Sequence, residues 1–206
     1  MDSTQALAQL KAAGFTLKAV SKLNPQMVEG YLALGSVRAA SKVIGVVGVV
    51  AMQRPARFAG NVPSQSLPVE KVTAAHARGL TGKGIKVGIL SVSFANVTSP
   101  VSYQDDINSG ALPPNVTILE DLAGGGDDEG RAMTQLVYDI APDAALGFAT
   151  AFAGQVSFSN NMLALRDSFG ADVLADDVYY YAEPIYSDGL LAQTVDAVII
   201  KSSSRA

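Results

Sequence analysis

The apolar positions of this chain change rhythm near residue 85. Before it, short mixed runs are broken by turn residues; after it, compact blocks of branched and aromatic residues alternate with longer helical stripes. In the front part, Asp2-Ser3-Thr4 can cap a helix whose apolar positions Ala6, Leu7 and Leu10 recur at helical spacing, and Gly14 ends it. Phe15 to Leu23 and, after Asn24-Pro25, Val28 to Leu34 read as strands. Gly35-Ser36 opens a second helix that runs through Val43 to a stop at Gly45, and the β-branched run Val46 to Met52 predicts a third strand. Arg54 to Pro68, with its prolines and few large apolar residues, is the best linker in the chain. The expected organisation is a small α/β domain over residues 1–53, a linker over 54–68 and a larger domain over 69–206.

A helix-like run, Val69 to Leu80, and the turn Thr81-Gly82-Lys83-Gly84 lead into the second rhythm. Lys86 to Ser91, Val116 to Leu119, Ala145 to Thr150 and Asp172 to Ala175 are short apolar runs bounded by turn signals, the pattern of buried parallel strands. Helical stretches alternate with them at Glu129 to Ile140, Asn160 to Phe169 and Leu190 to Lys201. This order predicts right-handed crossovers and a parallel sheet covered on both faces, with ligands outside the carboxyl ends of its strands. Those ends are Ser91 to Phe94, Glu120-Asp121, Thr150-Ala151 and Asp176 to Tyr179.

Composition narrows the chemistry. At 49% hydrophobic and 17% charged over 206 residues, the chain can bury a core. It has no cysteine, which removes disulfide scaffolds, thiol nucleophiles and cysteine-ligated zinc together. Imidazole chemistry would have to run through His76, the single histidine, which reads as a surface residue. No apolar stretch reaches the ~20 residues of a membrane span, and Met1 to Lys11 lacks a signal-peptide layout. The formal charge of −4 hides a split: nine Lys/Arg against three acids in residues 1–80, six against sixteen in 81–206. Two such parts attract each other or serve different partners. The cations are scattered singly without interleaved aromatics, so neither nucleic acid nor membrane is an expected partner.

The most informative local stretch is Gly124-Gly125-Gly126-Asp127-Asp128-Glu129. Asp127 or Asp128 can cap the helix that follows, whose apolar stripe is Ala132, Met133, Leu136, Val137 and Ile140. Glu129, four residues before Met133, falls on that inward face. Either it is placed for chemistry or it satisfies free amides of the first turn. The glycines invite a phosphate-loop reading, but no GxxxxGK[ST] and no GxGxxG after a strand is present. The paired carboxylates Asp176-Asp177 suit calcium or magnesium. As neighbours on a strand they point to opposite faces, which favours an edge whose backbone pairs with an extended peptide, rimmed by Tyr179, Tyr180, Tyr181 and Glu183-Pro184. Asp105-Asp106, before Pro113-Pro114, reads as a solvated loop.

The stretch Leu80-Thr81-Gly82-Lys83-Gly84-Ile85-Lys86-Val87-Gly88-Ile89-Leu90-Ser91-Val92-Ser93-Phe94 resembles the opening of a subtilase (subtilisin-like serine protease) catalytic domain. Asp128-Glu129-Gly130-Arg131-Ala132-Met133 resembles the helix start where most members carry His-Gly-Thr, and Ile140-Ala141-Pro142-Asp143-Ala144 its close. Gly170-Ala171-Asp172-Val173 and the residues after it resemble the strand whose end forms the substrate edge. Val28 to Leu32 and Gly48-Val49-Val50 are similar to a subtilase propeptide. The resemblance implies an incomplete doubly wound parallel sheet of subtilisin-like kind behind a small propeptide-like α/β domain. It implies endopeptide hydrolysis through an acyl-enzyme as the family reaction, and secretion as the family habit. No cofactor or metal is called for. Implied partners are a peptide or substrate-like protein segment and the chain's own propeptide-like half.

Departures from the family qualify its activity. The resemblance places Val92 where the catalytic aspartate stands and Glu129 where the histidine stands, with Asp177, Val178 and Tyr179 at the substrate edge. The nucleophile motif Gly-Thr-Ser is absent, and the family places its serine and oxyanion asparagine beyond Ala206. Sedolisins pair a glutamate with an aspartate four residues later, where this chain has Met133. The closest likeness is to a subtilase-like group with Asp-Glu-Gly-Arg-Ala-Met at this helix. Without nucleophile, oxyanion donor and triad acid the expectation is no hydrolysis. The alternatives are a propeptide-type inhibitor or folding aid, and a nucleotide-binding doubly wound domain.

Overall fold

The computed structural model describes residues 3–52, 56–57 and 66–202, and its contacts divide into two units, Met1–Gln53 and Arg54–Ala206. In the first, helix α1 (Ser3–Ala12) stops at Gly14, whose φ of 93° a residue with a side chain resists. Strands β1 (Thr16–Val20) and β2 (Val28–Tyr31) pair antiparallel with an irregularity between Leu17 and Ala19. The buried Ser21 organises the turn between them, its Oγ accepting from Asn24 N at 3.0 Å. A 3₁₀ turn (Leu34–Ser36) flows into the short helix α2 (Val37–Ala40).

The expected strand Val46 to Met52 does not form. The described sheet of this unit has only two strands, and Val47 and Val50 are left exposed. Branched residues favour extended backbone, but a strand exists only where a neighbour accepts its hydrogen bonds. Of the expected linker, residues 54, 55 and 58–65 lie outside the described residues, as do Asp2 of the first cap and residues 203–206. The described part of the linker holds β3 (Ala56–Arg57) and the start of α3 (Ser66–Val69). The helix expected over 69–80 is interrupted: α4 (Val72–His76) starts after Lys71, whose φ is 56°.

The second unit is mixed α/β around a four-stranded parallel sheet. Strands β4 (Lys86–Ser91), β5 (Thr117–Glu120), β6 (Ala145–Thr150) and β7 (Val173–Asp176) lie in the order β5-β6-β4-β7. The register runs unbroken from Lys86↔Ala145 to Ser91↔Thr150. Alternation assigns each side chain a face: Val87, Ile89, Leu146 and Phe148 enter one core cluster, Leu90, Ala149 and Ala151 the other. Met133 and Val137 of α6 (Glu129–Ile140) cover the first. The second lies under α7 (Gln155–Ala164), a π-helical turn (Leu165–Phe169) that prolongs it, and α8 (Leu190–Ser202). Gly147 permits the closeness, since a Cβ there would stand 2.8 Å from the Phe169 ring. Among the described residues no helix is long and apolar enough to cross a membrane.

Two local expectations are corrected. Asp105-Asp106 is no loop but the first turn of α5 (Tyr103–Ser109), closed by a capping box. Asp105 N donates to Ser102 Oγ at 3.2 Å and Ser102 N to Asp105 Oδ2 at 2.8 Å. Asp106 is buried rather than solvated. The stripe of α6 is also rotated: Ala132, Leu136 and Ile140 are exposed, and Gly130, Arg131 and Thr134 are the buried positions. Gly130 lies against Phe148, where a Cβ would approach Cε2 to 2.2 Å, so the helix is drawn in at its start.

Candidate functional site

The carboxyl ends of β4 and β6 and the start of α6 form the site. Thr150 Oγ1 donates to the Val92 carbonyl at 2.6 Å, and Ala151 N to the Ser91 carbonyl at 2.7 Å. These bonds hold Ser91-Val92-Ser93 extended, so Ser91 and Ser93 share a face and Val92 takes the other. Ser91 Oγ donates to Glu129 Oε2 at 3.2 Å. Ser93 Oγ donates to Asp128 Oδ1 at 2.8 Å and accepts from Asp128 N at 2.9 Å. Ser91, rather than Val92, is therefore the strand-end residue that meets Glu129. The Val92 side chain is buried and carries no group that can bond a carboxylate.

Asp128 stands at the N-cap position of α6 with φ 55° but makes no side-chain cap bond. Its carboxylate is engaged elsewhere, by Asn96 N at 3.0 Å, Val97 N at 2.8 Å and Arg131 Nη2 at 3.2 Å. These bonds compensate a left-handed backbone that costs about 1–3 kcal/mol. Arg131, itself buried, also pairs with Asp106 Oδ2 at 3.2 Å and donates to the Val101 carbonyl at 3.2 Å. Asp121 receives Phe94 N and Ala95 N, both at 2.9 Å. Asp121 and Asp128 both receive backbone amides of residues 94–97, while Asp128 and Glu129 each also accept from a serine hydroxyl of the strand end.

The hydroxyl of the Ser91–Glu129 pair is closed to solvent. Ser91 is 0% exposed within the sheet and its proton already goes to Glu129. His76 Nε2 donates to the Ile140 carbonyl at 2.9 Å, at the other end of α6. With 1.5 Å of rise per residue that is roughly 16 Å along the axis from Glu129.

The second element of the site is the edge after β7. Val178 and Tyr179 form β8, and β3 pairs with it antiparallel, Ala56 opposite Tyr179 and Arg57 opposite Val178. Asp176 Oδ1 accepts from Val178 N at 3.2 Å and anchors the bend between β7 and β8. Desolvation pushes the Asp176 carboxyl above its ordinary range, partly offset by that hydrogen bond. Asp177 lies between the strands, half-buried. Tyr179 and Tyr181 are exposed and meet edge to face at 5.1 Å between ring centroids. Tyr180 does not rim the edge: it is buried, donates to the Ala151 carbonyl at 2.6 Å and stacks on Phe158. Glu183 is likewise turned inward, where it receives Leu191 N at 2.9 Å and Ala192 N at 3.1 Å at the start of α8.

Among the described residues no three His, Cys, Asp or Glu side chains gather in a way that would hold a metal ion. No family model matches the chain, and no curated protein matches it. Ser91 and Asp121 lie at strand ends where ligands were expected, though without an assigned role; Arg131 was not singled out as a site residue. The period-two spacing of Ser91 and Ser93 is the signal that assigns them one face, and Asp121 is marked only by its place at a strand end; nothing in the sequence marks the path of Arg131 to Asp106.

Proposed function

We propose that this chain is a subtilase-like protein that holds an extended peptide on the β8 edge without cleaving it. The observation that carries the reading is the pairing of Ala56–Arg57 with Val178–Tyr179, a stretch of the chain seated where an extended peptide would add as a strand. The family reaction, peptide-bond hydrolysis through an acyl-enzyme, needs an accessible nucleophile and a base to take its proton. Here Glu129 stands at the helix start with a buried serine as its partner, and the single imidazole is bonded at the far end of α6. The inhibitor-like alternative draws on the same strand, since the chain supplies its own occupant. A nucleotide reading is disfavoured by Asp128 and Glu129, whose carboxylates stand at the N-terminus of α6 where a phosphate would seek positive potential.

The test removes the tethered strand. Proline at residue 57 cannot serve in the β3–β8 ladder. Arg57→Pro should bind a labelled peptide of residues 54–60, Arg-Pro-Ala-Arg-Phe-Ala-Gly, about tenfold more tightly than the parent chain does. Equal binding by both proteins would reject the edge, and labelling of either by a fluorophosphonate probe would reject the absence of cleavage.

A further inference from the structure

The end of β5 and the head of α6 are joined by Leu122-Ala123-Gly124-Gly125-Gly126-Asp127. Residues 123–127 of this run are exposed. Its three glycines hold φ at 75°, 109° and 151°, backbone that residues with side chains rarely adopt. The run therefore has little to bury. An added Cβ at Gly124 or Gly125 would meet no described atom within 4 Å, and the Asp127 carboxylate turns along the chain to Glu129 N at 3.4 Å. Segments with few apolar contacts and exposed backbone open locally at low cost.

One side chain ties the run down. Asn96 Nδ2 donates to the Leu122 carbonyl at 2.9 Å and reaches the Gly125 carbonyl at 3.5 Å, so a single amide group spans it. Asn96 is well placed to hold. Its own N donates to Asp128 Oδ1 at 3.0 Å, and the neighbouring amides of Ala95 and Val97 are bound by Asp121 and Asp128. The latch thus stands on a fixed loop and the run it holds is soft.

The far end of the run is seated on the strand end. Gly126 lies so close to Ser93 that a Cβ would stand 2.1 Å from Oγ, and Asp128 N donates to the same oxygen at 2.9 Å. Ser93 is 0% exposed beneath this seat. Its hydroxyl donates to Asp128 Oδ1, a bond made to α6 rather than to the glycines.

We propose that Leu122–Asp127 is a strap latched by Asn96, which opens as a unit while the sheet and α6 stay folded. Opening lifts Gly126 from Ser93 and brings the strand-end hydroxyl, still bonded to the Asp128 carboxylate, into contact with solvent. This device lies apart from the β8 edge and does not rest on the peptide-holding reading above.

The test uses the full chain and two readouts: amide exchange by nuclear magnetic resonance, and nicking by thermolysin, which cuts on the amino side of leucine. Nicking between Asp121 and Leu122 requires the run to leave the surface. Asn96→Ala should raise both that nicking and exchange of the Asp128 amide about tenfold, the worth of one hydrogen bond. Exchange at Ile89 and Phe148, paired in the β4–β6 ladder, should not change. Gly126→Ala should act in the same way with the latch intact, because a Cβ cannot be seated on Ser93. Gly124→Ala also strains a positive φ but meets open space, and should raise nicking several-fold less. Three results would each overturn the proposal: no effect of Asn96→Ala, exchange at Ile89 and Phe148 rising in step with Asp128, which would mean that the whole unit loosens, or equal effects of the two glycine substitutions, which would leave backbone strain alone and no seat.

Discussion

Arg131 joins three parts of the second unit through one guanidinium: Asp106 of α5, Asp128 at the head of α6 and the Val101 carbonyl. Removing one member of a buried charge group strands the others, at a cost of about 3–5 kcal/mol. Arg131→Met should lower unfolding stability in urea by that order, whereas replacement of exposed Lys83 should change little. Asp176 shows the opposite sign. Its carboxyl is raised by desolvation, so the charged form is less favoured in the folded chain than in the unfolded one. The resulting penalty is present at neutral pH and is relieved as pH falls through the raised folded value toward the ordinary carboxylate range. Asp176→Asn should therefore be neutral to stabilising at pH 7, and its advantage should disappear in acid; denaturation curves at both pH values check this. At this scale the sequence was partly legible. Glu129 stands out by its place before an amphipathic run, but its partner Ser91 emerges only once strand direction is known, and Arg131 looks like any surface arginine until Asp106 is brought beside it.

Among the elements, the buried parallel strands were the readable ones. Lys86 to Ser91 and Ala145 to Thr150 are read and found with the same bounds, because a strand covered on both faces is apolar throughout and needs no alternation to be recognised. Glu129–Ile140 is also found as read, although its buried face is set by Gly130 against Phe148 rather than by the apolar stripe. Val46 to Met52 failed for the converse reason: composition favours a strand, but pairing is non-local. The short α5 was missed because its seven residues, about two turns, carry too few apolar positions to show a period. Its cap explains its presence. Ser102 hydrogen bonds hold the Asp105 carboxyl below its usual range, so the cap is intact above the ordinary carboxylate pKa and fails as pH falls through the lowered one. Ser102→Ala should cost about 1 kcal/mol of stability. Hydrogen exchange confined to the amides of 103–109 would locate the loss in α5.

For the whole molecule, the coarse architecture of a parallel sheet flanked by helices followed from the alternation of runs and stripes. The strand order β5-β6-β4-β7 did not, since local patterns say nothing about which strands become neighbours. That order places the earliest strand of the sheet at its interior. Lys86 N donates to an Asp172 carboxylate 86 positions further along, and the other flank of β4 is filled only by residues from Ala145 onward. On a ribosome, this buried strand would emerge well before either of the strands that shelter it. Growth from the N-terminus thus obliges the nascent chain to keep Val87 to Leu90 from unintended company until synthesis has passed Asp176, and a chaperone that grips short branched segments would find its moment in that interval.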